Sequence, residues 1–213
     1  NDALEEMKDC FLRYFEAIVP YGEKEDEHAG EQFYNYVTRV LIHQWMKDGG
    51  KAICEELRWC GPAESFSGQL QWFVSKCENG YSGFKNLFET CDGLLGRLSD
   101  DSGLLWRDSI LLQVKIHTYC IEGVSHFGKG YIAYEKNDYY KAFYEIGQAA
   151  DCFSQADQAM KECCHDKWNG FYENDCQTDV KETAYLLKLL MGYIRNLGDG
   201  PYFYQWQREV IYP

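Results

Sequence analysis

Between Leu111 and Met160 the chain reads LLQVKIHTYCIEGVSHFGKGYIAYEKNDYYKAFYEIGQAADCFSQADQAM. Its apolar residues keep one rhythm on either side of a single polar break. Upstream of that break, Leu111, Val114, His117, Ile121, Val124, Gly128 and Ile132 recur at threes and fours, with Leu104, seven residues before Leu111, extending the same face. Such spacing lines one side of a 3.6-residue helix. Downstream, Tyr139, Phe143, Ile146, Ala150, Phe153, Asp157 and Met160 repeat it. The break itself, Lys136-Asn137-Asp138-Tyr139, has turn and capping chemistry and is short. Two long antiparallel helices follow from so brief a connection.

The rest of the chain extends this pattern. A helix over about Ala3 to Val19 is predicted from Leu4, Met7, Phe11, Tyr14 or Phe15, and Ile18, and Pro20 ends it. A second, about Gly30 to Lys47, carries Phe33, Tyr36 or Val37, Val40, Leu41 and Trp45, and stops at Gly49-Gly50. Shorter patterns over Lys51 to Trp59, Ser65 to Cys77 and Gly83 to Leu98 read as three further helices around the turn-rich CGPAESFSG. Asp100-Asp101-Ser102 supplies N-cap chemistry for the long helix. A last helix, about Thr178 to Leu197, places Val180, Ala184, Leu187, Met191 and Ile194 on one stripe before Gly198 and Gly200. Sustained alternation of β-branched residues is absent. The reading is an all-α, multi-helix bundle of about seven helices with one tetratricopeptide-like hairpin. Its central layer is Gln113 to Tyr134, Tyr139 to Lys161 and Thr178 to Leu197. Residues 1–213 form a single helical domain in this reading, with a subdivision point near 61–68.

Composition narrows the function classes. Acids outnumber bases 34 to 21, for a formal charge of -13, so the average field repels a phosphate backbone and nucleic acid is excluded as a partner. No apolar run approaches membrane-spanning length and no signal-peptide pattern is present, although a signal removed upstream of Asn1 remains compatible with the sequence. Ten cysteines are scattered without a CxxC pair, several of them inside helical patterns where a free thiol is a small buried hydrophobe. Reduced thiols and a cytoplasmic location are the expectation, with neither cofactor nor metal.

Each reactive-looking group has a structural alternative. Asp175 and Asp179 are four apart, the offset that brings two carboxylates together on a helix, and Glu182 follows. They also stand where a helix begins, and acids there favour the helix dipole, so capping is preferred to catalysis. His117 and His126 are nine apart, which is not a metal-sharing interval, and Cys163-Cys164-His165 with Cys176 lacks paired ligand knuckles. Arg195 and Arg208 suit ion pairs or ring stacking better than phosphate binding, because the glycines of GYIRNLGDG follow a helix and do not open one. The aromatic-rich end, with Trp168, Tyr172, Tyr202, Trp206 and Arg208, reads as a contiguous binding or interface patch. The residues assign no catalytic group.

From about Tyr131 to Pro213 the chain resembles the helical region that follows the catalytic barrel in glycoside hydrolases of family 115, the large α-glucuronidases. HDKWNGFYENDCQTDV, residues 165 to 180, is similar to that family's Trp-rich segment, in which a helix ends, a Trp and a Tyr follow, and an Asn or Asp leads into the next helix. The family's catalytic carboxylates belong to a barrel whose alternating pattern this chain lacks. The resemblance implies a non-catalytic accessory or interdomain module, supporting a substrate cleft or a subunit contact. Its partners would be the neighbouring domains of a parent chain, with oligosaccharide and self-association as further candidates. The alternative is a self-standing helical carbohydrate-active or peptide-binding protein.

Overall fold

A computed structural model describes residues 2–18, 33–58, 61–163, 166, 169–171 and 180–198. These residues form an all-α bundle: α1 (Asp2–Ile18), α2 (Phe33–Asp48), a 3-10 turn (Glu55–Leu57), α3 (Phe66–Leu95), α4 (Asp100–Trp106), α5 (Leu112–Glu135), α6 (Tyr139–Glu162) and α7 (Val180–Gly198). A π-helical stretch, Arg107–Leu111, joins α4 to α5 without a break, so the two make one rod of 36 residues. Counted as continuous rods, six helices build the described fold, without a strand. None of them is long and apolar enough to cross a membrane.

The expected hairpin is present, and its turn works as its residues dictate. Asn137 takes a left-handed φ of 59°, which its short polar side chain tolerates, and Asp138 caps α6 by accepting the Lys141 amide at 3.1 Å. Along the α5–α6 crossing, small residues allow the backbones to close. A Cβ on Gly123 would lie 2.8 Å from the Phe153 ring, and one on Gly130 would lie 2.6 Å from Ile146. Helix α7 packs on the far side of α6 with Val180, Ala184, Leu187 and Ile194 buried and Met191 packed beside them. α2 bridges α7 and α5. Buried Thr183 of α7 donates its hydroxyl to the Asn35 side chain of α2, and Arg39 of α2 meets Glu182 of α7 at 2.6 Å.

Three expectations are corrected. The separate helices over Ser65 to Cys77 and Gly83 to Leu98 are one helix, α3, capped by the Ser65 hydroxyl on the Gly68 amide at 3.0 Å. Its inner glycines, Gly80 and Gly83, do not interrupt it; they receive Ala17 of α1. The helix expected over Lys51 to Trp59 is only the turn Glu55–Leu57 among the described residues. On α1 the expected core stripe holds only in part. Cys10 and Ala17 are buried, with Met7, Tyr14 and Ile18 partly so, whereas Leu4, Phe11, Leu12 and Phe15 lie open. The ends of the long rod's stripe, Leu104 and Ile132, are also exposed. α1 packs chiefly on α3, and a helix that leans mainly on one neighbour buries a narrow face.

Two apolar clusters result. The larger runs through α2, α3, α5, α6 and α7 and takes in Ala17 of α1. The smaller gathers Cys10 of α1, Leu87, Cys91 and Leu94 of α3, and Trp106, Ile110, Leu111 and Val114 of the long rod, with the Trp106 indole donating to the Cys91 carbonyl at 2.9 Å.

Candidate functional site

Trp168, Tyr172, Tyr202, Trp206 and Arg208 lie outside the described residues, as do Asp175, Asp179, Cys164, His165 and Cys176. The described members of the other constellations have structural duties. Glu182 ties α7 to α2 through Arg39. His126 Nδ1 meets Glu145 Oε2 at 2.7 Å, joining α5 to α6. His117 is fully enclosed: its ring stacks on Phe84 at 4.4 Å and meets Tyr34 edge-on, and its Nε2 lies 3.3 Å from the Tyr14 hydroxyl. Burial drives its pKa down to about 3, so the ring is neutral at ordinary pH. Cys163 is buried, and burial followed by the Asp108 carboxylate pushes its thiol up to about 12. It is not a poised nucleophile.

One end of the bundle collects rings. The last turns of α2 and α5 and the neighbouring turns of α3, α6 and α7 bring together Trp45, Phe66, Tyr131, Tyr134, Tyr139 and Tyr193. Trp45 meets Tyr131 edge-on at 4.9 Å and Tyr134 at 5.0 Å. The chain leaves α2 through Gly49 and Gly50, at φ 76° and 74°. A Cβ at either would fall 2.8 Å from a tyrosine hydroxyl, of Tyr134 or of Tyr131, so glycine is required by conformation and space together. Asp48 holds this exit by accepting the amides of Gly50, Lys51 and Ala52. Burial, and then Tyr193 alongside, raise the Tyr134 phenol to about 12, leaving it a proton donor.

Beside these rings a cavity of about 590 Å³ opens between the start of α6 and the end of α7. Tyr139, Tyr140 and Phe143 form its aromatic wall, and Asn137, Asp138 and Arg195 its polar rim. Gly198 lets the two helix ends approach, for a Cβ there would sit 3.1 Å from that of Tyr139. Tyr140 is 89% exposed and Tyr144, one turn on, 59%. Flat rings with directional polar groups nearby can stack on the C–H face of a sugar ring and hydrogen-bond its hydroxyls. A smaller opening of about 420 Å³ lies between α5 and α6, lined by Lys129, Lys136, Lys141 and Glu145 among others.

Tyr140 and Tyr144 were not singled out from the sequence, yet the signal was present. The core stripe of α6 takes Tyr139, Phe143 and Ile146, which leaves two tyrosines four apart on the face turned away from that stripe. Comparison with known proteins returns no matching family model, no matching curated protein and no matching solved structure.

Proposed function

We propose that this chain is a non-catalytic helical module of a larger carbohydrate-active enzyme, of the kind the resemblance to family 115 glycoside hydrolases implies. In this reading it supports a substrate cleft or a subunit contact. The observation that carries the proposal is the aromatic end of the bundle. A cavity walled by Tyr139, Tyr140 and Phe143, with an arginine, an aspartate and an asparagine at its rim, shares α6 with a second solvent-facing tyrosine, Tyr144. The same end of α7 leads in sequence into Tyr202, Phe203, Tyr204 and Trp206. Amphipathic rings gathered in this way suit contact with glycan or with a neighbouring domain.

The test uses the chain as it stands with glucuronoxylan fragments and aryl glycosides. Saturation-transfer NMR should report oligosaccharide contact, weakened several-fold by Tyr140→Ala with Tyr144→Ala, and no sugar should be released. Because both rings are exposed, the double variant should fold as the parent does. Oligosaccharide contact indifferent to both substitutions would remove this face from the proposal. Turnover abolished by Asp175→Asn or Asp179→Asn would overturn the non-catalytic reading.

A further inference from the structure

Helices α1 and α3 run antiparallel, and contacts at both ends fix their register. Glu6 receives two guanidinium nitrogens of Arg97, at 2.7 and 2.9 Å, just beyond the end of α3. Seven residues along α1, Arg13 donates to Thr90 at 3.2 Å. Further on, Ala17 fits against Gly80 and Gly83, where an added Cβ would come within 3.3 Å of it. Between the first two contacts, this register sets Cys10 abreast of Cys91. Both side chains are fully buried in the same smaller cluster, with each thiol close enough to act on the other.

We infer that Cys10 and Cys91 form a redox clasp, closing to a disulfide across α1 and α3 when the chain meets an oxidising pool of small disulfides and reopening in a reducing one. The reaction consumes one low-molecular-weight disulfide, such as oxidised glutathione. One cysteine thiolate attacks a glutathione sulfur, breaking its S–S bond and releasing one glutathione thiolate. The second cysteine then displaces the other glutathione from the mixed disulfide. The protein gives up two electrons and two protons, and both end on the two glutathione thiols.

In the closed bundle burial raises both thiols and shuts out the reagent, so reaction needs α1 to lift. An edge helix with one principal neighbour and Leu4, Phe11, Leu12 and Phe15 open to solvent is suited to do so. Cys77, Cys120 and Cys152 also stand near one another, but on α3, α5 and α6 in the middle of the fold, where opening means unfolding. Selectivity then comes from which helix can move.

The experiment takes the whole chain, native and fully reduced, through a series of oxidised to reduced glutathione ratios, followed by peptide mapping and thermal melting. The expected product has lost the mass of two hydrogens, joins the peptides of Cys10 and Cys91, and returns to the start with dithiothreitol. Its melting temperature rises by roughly 5–10 °C, because the link closes a long loop. Cys10→Ser should abolish both the link and the rise. If that variant does not fold, the map of the parent chain decides. Glutathione adducts or other cysteine pairs without a Cys10 to Cys91 peptide would overturn the clasp, as would thiols that react only in denaturant.

Discussion

The α5–α6–α7 layer and the α1 edge are both helices packed on helices, but they are held by different means. In the layer, Gly123 and Gly130 sink into Phe153 and Ile146, the turn is capped by Asp138, and α7 lies along α6 with nearly its whole apolar stripe covered. At the edge, α1 buries two small residues, Cys10 and Ala17, and leaves four large apolar side chains outside. What distinguishes them is the number of neighbours, since both helices carry ample hydrophobic residues. Amphipathicity shows that a helix will pack; the topology sets how much of its apolar face is used.

His117 is the joint between these regions, touching Tyr14 of α1, Tyr34 of α2 and Phe84 of α3 from its place on α5, and it carries the largest expected effect. Its folded pKa of about 3 lies below the ordinary value of 6.5, so the unfolded chain takes up the proton first as pH falls. The stability it contributes is complete above pH 6.5, declines through the interval down to about 3, and levels off below. The whole loss is on the order of 5 kcal/mol, at about 1.4 kcal/mol per unit. Urea unfolding of the parent and of His117→Phe across this interval should differ in slope. Equal slopes would mean that the joint does not hold a neutral imidazole.

Next in size, Gly123→Val should cost roughly 3 kcal/mol, since the new side chain collides with a buried Phe153 ring and Cys152. The matched edge change, Gly83→Ala, meets only the Ala17 methyl at 3.3 Å and gains helix propensity, so it should stay within about 1 kcal/mol of the parent in either direction. If thermal melts rank these two the other way, the contrast between layer and edge fails. Between them, Thr183→Val removes the hydroxyl from buried Asn35 and should cost about 1–3 kcal/mol by chemical denaturation. The smallest effect belongs to Arg97→Ala. Its pairing with Glu6 is solvent-exposed, and the melting temperature should be unchanged within error.

The same contrast explains what the sequence disclosed. The hairpin was legible because stripe, turn and cap agreed over Leu111 to Met160, and α7 because each stripe residue found a partner. The gap left between Cys77 and Gly83 was misread because the sequence does not show that Gly80, inside it, admits Ala17 of α1 without interrupting α3. The α1 stripe misled in part: Leu4, Phe11 and Phe15 satisfy the period, but α3 occupies the side with Cys10 and Ala17. At the site, a cavity between the start of α6 and the end of α7 joins residues nearly sixty positions apart, and only packing could place Arg195 beside Tyr139. The expected aromatic patch lies outside the described residues.

The π-helical stretch Arg107–Leu111 separates two angular phases along the 36-residue rod. One residue of an α-helix turns the chain by about 100°, and a π bulge carries one residue more than the ordinary turn needs. Upstream, Trp106 is thereby aimed at Cys91; downstream, Leu112 and Ile116 face the larger cluster. Deleting a single residue from this stretch would restore a regular helix while swinging Trp106 off its carbonyl partner. The bulge thus acts as a phase-shifter in a rod whose downstream part lines both cores, Val114 the smaller and Leu112 and Ile116 the larger.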